Sequence, residues 1–118
     1  MFTNHFVGIG NVVERPTLQT SDNGKNWVKF SIAVNEYYKE HDKTKQLTTF
    51  IPVVAWDRYA VNISRVIKTG QPILVQGPIR VKYYTDSEGV KRTSFQVEGI
   101  YFSWEPNWVR KTRPENKT

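Results

Sequence analysis

Three short stretches of the chain set flat rings beside cations: Tyr37-Tyr38-Lys39, Trp56-Asp57-Arg58 and Arg80-Val81-Lys82-Tyr83-Tyr84. Rings offer stacking faces to unpaired bases, and cations neutralise phosphates. Together they suit a sequence-tolerant binder of single-stranded nucleic acid, in which each stacked base contributes about 1–3 kcal/mol. Lys43, Lys45, Lys91 and Arg92 fall in expected loops, where they can reach a polyanion. The whole chain points the same way, with 17 Lys and Arg against 11 Asp and Glu and 14% aromatics. A small, basic, aromatic-rich chain implies a polyanionic partner.

Groups that break bonds are scarce. Cysteine is absent, which excludes disulfides, thiolate zinc sites and cysteine nucleophiles. The two histidines, His5 and His41, read as surface or strand-edge residues and not as metal ligands. The acidic residues are scattered, so the clustered carboxylates of a metal-dependent nuclease are missing, as is a G-x-x-x-x-G-K-[ST] phosphate loop. No catalysis, metal or cofactor is expected. No apolar run approaches the ~18 residues of a membrane span. The N-terminus lacks the basic-then-apolar pattern of a signal peptide. A cytoplasmic, nucleoid-associated location is the expectation.

The elements that would position these residues are mostly strands. Residues 4–13 read as a strand carrying Gly8 and Gly10, and Arg15-Pro16 ends it. Asp22-Asn23-Gly24 is a turn signal. Residues 27–34 alternate, with Val28, Phe30, Ile32 and Val34 on one face and Trp27, Lys29, Ser31 and Ala33 on the other. Trp27 thus lies on an outer face, for binding or for an oligomer contact. The polar run 39–46 is a loop or the tip of a long hairpin. Residues 48–56 form a strand in which Pro52 demands an edge or a bulge. Ile51, Val53 and Ala55 supply its core face, which leaves Phe50 and Trp56 together on the other. They are read as ligand-facing, with packing as the alternative.

A helix is expected over 58–68, with Asp57 as N-cap, Ala60, Ile63 and Ile67 on its buried face, and Gly70 at its C-terminal end before Pro72. Residues 73–76 form a strand, Gly77-Pro78 turns, and 79–85 extend again. Asp86-Ser87-Glu88-Gly89 makes a hairpin turn, and 90–102 close the fold with Phe95 and Val97 on one face. Phe30 and Phe95 are both read as core. Three strands, a helix and two more strands predict an all-β fold, a five-stranded Greek-key OB-fold barrel with one helix between strands three and four. The domain is expected over 1–103, followed by a short basic tail, 104–118, disordered from about 110. Trp104 and Trp108 are expected to pack back onto the barrel or onto a partner.

Over residues 4–102 the sequence resembles the bacterial single-stranded DNA-binding protein family. The resemblance rests on Gly8-Ile9-Gly10-Asn11 with Arg15-Pro16, on the run from Thr48 to Trp56, and on Lys68-Thr69-Gly70 through Val75-Gln76-Gly77-Pro78-Ile79-Arg80 to Tyr84-Thr85-Asp86-Ser87-Glu88-Gly89. It implies that Tyr38, Phe50, Trp56 and Tyr84 are the base-stacking residues. It also implies backbone contacts from Arg58, Arg80 and Lys82. Lys39, Lys43 and Arg92 join them as phosphate-binding candidates from their place beside rings or in loops. Where the family has a basic residue just after the stacking residue of strand three, this chain has Pro52. Ile51 stands where the family often has an interface histidine.

The resemblance further implies a homotetramer that wraps single-stranded DNA in replication, recombination or repair. The family's acidic C-terminal tip has no counterpart in the short basic tail, so recruitment of enzymes through such a tip is not an expectation here. A dimeric, primosome-type OB-fold protein bridging DNA and a replication partner is the alternative reading. A role on RNA is open, because the stacking physics is shared.

Overall fold

The alternation at 27–34 is the centre of one long strand, extended at its far end by residues that read as loop. The structure is a computed structural model that describes residues 3–104. Its elements in chain order are β1 (Phe6–Val12), β2 (Gln19–Thr20), β3 (Asn26–Glu40), β4 (Lys43–Trp56), α1 (Asp57–Val66), β5 (Pro72–Gly77), β6 (Ile79–Thr85), β7 (Lys91–Glu98) and β8 (Tyr101–Ser103). The fold is all-β with a single helix among the described residues, and the helix follows the third long strand as expected.

Strands run in the order β6-β7-β4-β3-β1-β5-β8, with β2 beside β3. Every pairing is antiparallel except β4 with β7. The two ends of this path, β6 and β8, do not pair, so the ladder is an open one. The five expected strands are present, but the last two are each broken in two. Pro78, which has no N–H to donate, separates β5 from β6. Beside it the backbone passes so close to the Glu98 carbonyl that a side chain on Gly77 would collide with it. Gly99 and Ile100 separate β7 from β8.

The inner faces close around Val28, Phe30, Ile32, Ile51, Val53, Ala55, Ile73, Val75 and Val97. Ala60, Ile63 and Ile67 cover one side of this core, as their spacing predicts. Each fully buried aliphatic side chain contributes roughly 1.5–3 kcal/mol relative to an exposed one. Tyr59 and Phe102 meet above it with ring centroids 5.6 Å apart. Gly10 lets β1 approach β3 closely, since a Cβ there would stand 2.7 Å from the Ala33 carbonyl oxygen.

Pro52 sits within β4 at no cost in ladder bonds. The Ser31 carbonyl accepts the Val13 N–H at 2.9 Å, so Ser31 turns its polar groups toward β1. Its pair with Pro52 is then of the non-hydrogen-bonded kind, in which neither residue bonds across. On the other side β7 joins β4 only from Val53 onward. Pro52 therefore occupies an edge position, as expected.

Past Val34, β3 and β4 leave the core together as an exposed hairpin arm, paired as far as Glu40 with Lys43. The expected polar segment is its tip. His41 and Asp42 have φ of 52° and 63°, the left-handed pair that a two-residue hairpin turn needs. At the arm's base, Thr48 Oγ1 donates to Asn35 Oδ1 at 2.7 Å and Gln46 Nε2 donates to the same oxygen at 3.1 Å.

Three local expectations are corrected. Asp57 makes no capping bond; Trp56 holds the cap position, and Asp57 enters the helix with φ of 56°. The helix ends at Val66 and not at 68, because Ile67 is extended and only its N–H still bonds back, to Ile63. Gly70 consequently does not end the helix. It takes φ of 83° in a separate turn, where Gln71 N donates to Lys68 O and Gly70 N donates to Val12 O.

Phe95 is the third correction. It keeps the parity of buried Val97 but is 46% exposed, against 5% for Phe30. The β6–β7 hairpin projects beyond the core at that point, so an apolar face no longer implies burial. The tail beyond residue 104, with Trp108 and the disorder expected from about 110, lies outside the described residues. Trp104 packs half-buried against the core.

Candidate nucleic-acid interface

Period-two alternation and strand register together decide which side chains share the outer face. Across β3 and β4 the pairs on the side away from the core are Ala33 with Phe50, Ser31 with Pro52, Lys29 with Val54 and Trp27 with Trp56, of which Val54 is itself covered by its neighbours. The parallel pairing of Val54 with Glu98 carries this face onto β7. The pairs Arg80–Gln96, Lys82–Ser94 and Tyr84–Arg92 carry it out along the β6–β7 hairpin. Phe50, Trp56, Tyr84, Arg80, Lys82 and Arg92 therefore lie on the same side of the sheet, around the buried Val54 and Gln96, although they come from three strands and span 43 positions of sequence from 50 to 92.

Phe50 is 59% exposed, with most of its ring open to solvent. Tyr84 is also exposed and borders a groove of about 380 Å³ that includes Tyr83, Lys91 and Arg92. Trp56 is half-buried at the opposite end of the face. Tyr38 is exposed but sits elsewhere. It shares the parity of Phe30 and pairs with Lys45, so it lies on the reverse of the hairpin arm. Lys39 and Lys43 are near the tip of the same arm, and Lys43 faces Glu40 in register.

Two of the candidate cations are engaged. Arg80 Nε donates to Glu98 Oε2 at 3.0 Å and Arg92 Nε donates to Asp86 Oδ2 at 2.9 Å. Each bond uses the inner nitrogen, so the outer donors of both guanidinium forks are left over. Asp86 also accepts the N–H groups of Glu88 and Val90 with Oδ1, which closes the turn that joins β6 to β7. The Arg92 bond, followed by the Val90 and Glu88 amides, holds the Asp86 carboxyl below its ordinary range. Arg58 lies with its guanidinium carbon 5.9 Å from the Tyr59 ring centroid. Lys39, Lys43, Arg58 and Lys82 form no ion pair among the described residues.

The surroundings of Trp56 were only half legible. Its ring centroid is 6.4 Å from that of Trp27, at an interplanar angle of 44°. Lys25 Nζ stands 4.7 Å over the Trp56 ring. The alternation of 27–34 placed Trp27 outward, but only the inter-strand register sets it beside Trp56. His5 is exposed with Nε2 3.2 Å from Gln76 Oε1, and His41 is in the arm's turn. Among the described residues no three His, Cys, Asp or Glu side chains gather as a metal cage, and no helix is long and apolar enough to cross a membrane.

Comparison with known proteins gives a consistent picture. The profile of the single-strand binding protein family matches residues 3–100. Single-stranded DNA-binding protein 1 of Clostridium acetobutylicum is 31% identical over 97 residues, which cover 81% of this chain and 87% of that protein. Other curated relatives are longer, and the chain spans 47% of one and 32% of another. The crystal structure of a small single-stranded DNA-binding protein from Streptomyces coelicolor aligns with a TM-score of 0.73 at 27% identity, covering 92% of this chain and 99% of that one. A Plasmodium falciparum protein of the same kind, solved in complex with single-stranded DNA, aligns with a TM-score of 0.80 over 90% of this chain and 97% of its own, and at 19% identity it speaks to the fold alone.

Proposed function

Because the chain belongs to the single-strand binding protein family, with the family's OB-fold, we propose that it binds single-stranded DNA without regard to sequence and protects the strand in replication, recombination or repair. The observation that carries this reading is the single outer face on which Phe50, Trp56 and Tyr84 lie with Arg80, Lys82 and Arg92. Bases stack on the rings while phosphates meet the cations between them, and no bond is broken. Stacking at about 1–3 kcal/mol per base supplies affinity that any base can collect. Phosphate neutralisation supplies the rest and makes binding salt-dependent. Tyr38, on the reverse of the arm with Lys39 and Lys43 nearby, would take the strand as it turns over the arm's edge. Arg58 would hold phosphate next to Trp56.

The same reading includes a homotetramer working in the cytoplasm beside the nucleoid. β1 supports assembly. It pairs with β5 along six residues but with β3 only at Asn11 and Val12, so the other edge of its first half is open. Val7 and Ile9 on this strand are 57% and 41% exposed. An open, apolar strand edge invites pairing with another chain unless it is covered.

The test is competition on labelled oligo-dT in magnesium buffer. The expected result is displacement by unlabelled single strands of any sequence, little displacement by duplex, and no cleavage. Equal displacement by duplex, or cleavage of the label, would overturn the reading. RNA oligomers in the same assay decide between the two nucleic acids. Native mass measurement separates the tetramer from the dimer of the primosome-type alternative.

A further inference from the structure

The outer face does not stop at Trp56. It continues across Trp27 into a groove of about 450 Å³ between β3 and the segment that joins β1 to β2. Trp27 forms one wall, Arg15 and Glu14 line the opposite segment, and Lys29, Ser31 and Gln19 are among the other residues that line it. We propose that this groove seats one further nucleotide of the bound strand, with its base on Trp27 and its flanking phosphates on Arg15 and Lys29. The proposal rests on the single-strand reading above and extends that site beyond the residues assigned there.

Four observations carry it. Trp27 and Trp56 are register partners, so their rings succeed one another along the face. Their 44° tilt and 6.4 Å separation make them two distinct platforms, suited to two successive bases as the strand curves. The groove falls within the roughly 300–1,000 Å³ of ordinary small-ligand sites. Its lining has two cations against one carboxylate, and both cations are exposed and free of ion pairs among the described residues. The Ser31 hydroxyl and the Gln19 amide add groups that can meet any base edge without selecting one.

Lys25 fits the same arrangement from the other side. It lies over Trp56 and lines a second groove, of about 470 Å³, with Ser21, Asp22 and Asn23. The ring's quadrupole holds the ammonium there while the site is empty. A base arriving on that face of Trp56 displaces the ammonium, which is then placed to meet the incoming phosphate.

The test uses the full chain and oligo-dT long enough to saturate binding. Trp27→Ala is expected to lower affinity by about 5-fold or more, the loss of one stacked base. The Arg15→Ala/Lys29→Ala double variant changes only exposed side chains. It is expected to reduce the slope of log affinity against log salt by about 1.4, at ~0.7 per phosphate for single strands. Oligo-dT carrying 5-iododeoxyuridine, irradiated on the unaltered protein, is expected to yield a cross-linked peptide containing Trp27. That readout stands even if Trp27→Ala does not fold.

If Trp56→Ala weakens binding while the double variant matches wild type and no Trp27 peptide is cross-linked, the groove proposal is overturned and the single-strand reading survives. If the unaltered protein does not bind oligo-dT at all, both fall. If Trp27→Ala binds normally but changes the native mass, the groove is a protein contact and the proposal is overturned.

Discussion

Phe30 and Phe50 offer a crossed experiment, because the same residue type sits on opposite faces of neighbouring strands. Phe30 pairs with Val53 on the inner face and is 5% exposed, whereas Phe50 pairs with Ala33 on the outer face and is 59% exposed. Phe30→Ala removes a buried ring and leaves a cavity, which costs about 3–5 kcal/mol of stability. For Phe50 the loss is smaller. A fully buried aromatic removes about 150–250 Å² from water, so a ring with two-fifths of its surface covered removes about 60–100 Å². At ~25 cal/mol per Å² this is an upper estimate of about 1.5–2.5 kcal/mol, which falls to about 1–2 once residual burial in the unfolded chain is allowed for. Binding should show the reverse order. Phe50→Ala loses one stacked base, about 1–3 kcal/mol, or a 5- to 150-fold rise in Kd. Phe30→Ala should bind near normally at temperatures where it remains folded. Urea unfolding gives the first quantity and oligo-dT titration at fixed salt gives the second. Affinity within twofold of wild type for a folded Phe50→Ala would refute the assignment of the outer face.

Glu98→Gln releases Arg80 from its ion pair and removes a negative charge from the proposed binding face. Affinity for oligo-dT should rise by a few-fold at low salt, in line with the ~0.2–1 kcal/mol of an exposed pair, and the gain should fade as salt screens it. Asp86 gives a pH prediction. Its folded pKa is depressed, first by the Arg92 bond and then by the Val90 and Glu88 amides, so its contribution to the β6–β7 turn is fully present above the ordinary value of 3.8 and is lost as pH falls through the lower folded value. Amide shifts of Glu88 and Val90 followed into acid should move together below that ordinary value, and Asp86→Asn should abolish the transition. Val7→Lys with Ile9→Lys places charge on the open strand edge. Native mass spectrometry should then show the assembly reduced toward monomer, while a tetramer as stable as wild type would remove β1 from the interface.

Much of this architecture is legible in the sequence, and the parts that are not share a cause. The alternation at 27–34 and at 50–56 depends only on the two-residue repeat of a strand, so Val28, Phe30, Ile32, Ile51, Val53 and Ala55 were correctly placed inside. Helical spacing placed Ala60, Ile63 and Ile67 equally well. Alternation does not reveal where a strand outruns the core. For that reason the pattern puts Phe95 inside although it is 46% exposed, and it leaves the polar run 39–46 open between loop and hairpin tip. Caps depend on backbone angles that composition leaves open, and this is why Asp57 and Gly70 were misplaced. The candidate cations and rings were visible singly, but their neighbours were not. Glu98 beside Arg80, Lys25 over Trp56 and Trp27 beside it all follow from strand register or the turn before β3. Register comes from the packing of the whole chain, and no local window contains it.

The central claim is that rings and cations on one face hold single-stranded DNA together. The most direct measurement is an oligo-dT titration followed by tryptophan fluorescence at about 50 and then about 200 mM salt. The account predicts strong quenching at both, because bases stack on the rings, with affinity that falls steeply between the two as phosphate contacts are screened. Absence of quenching, or an affinity indifferent to salt, would contradict it.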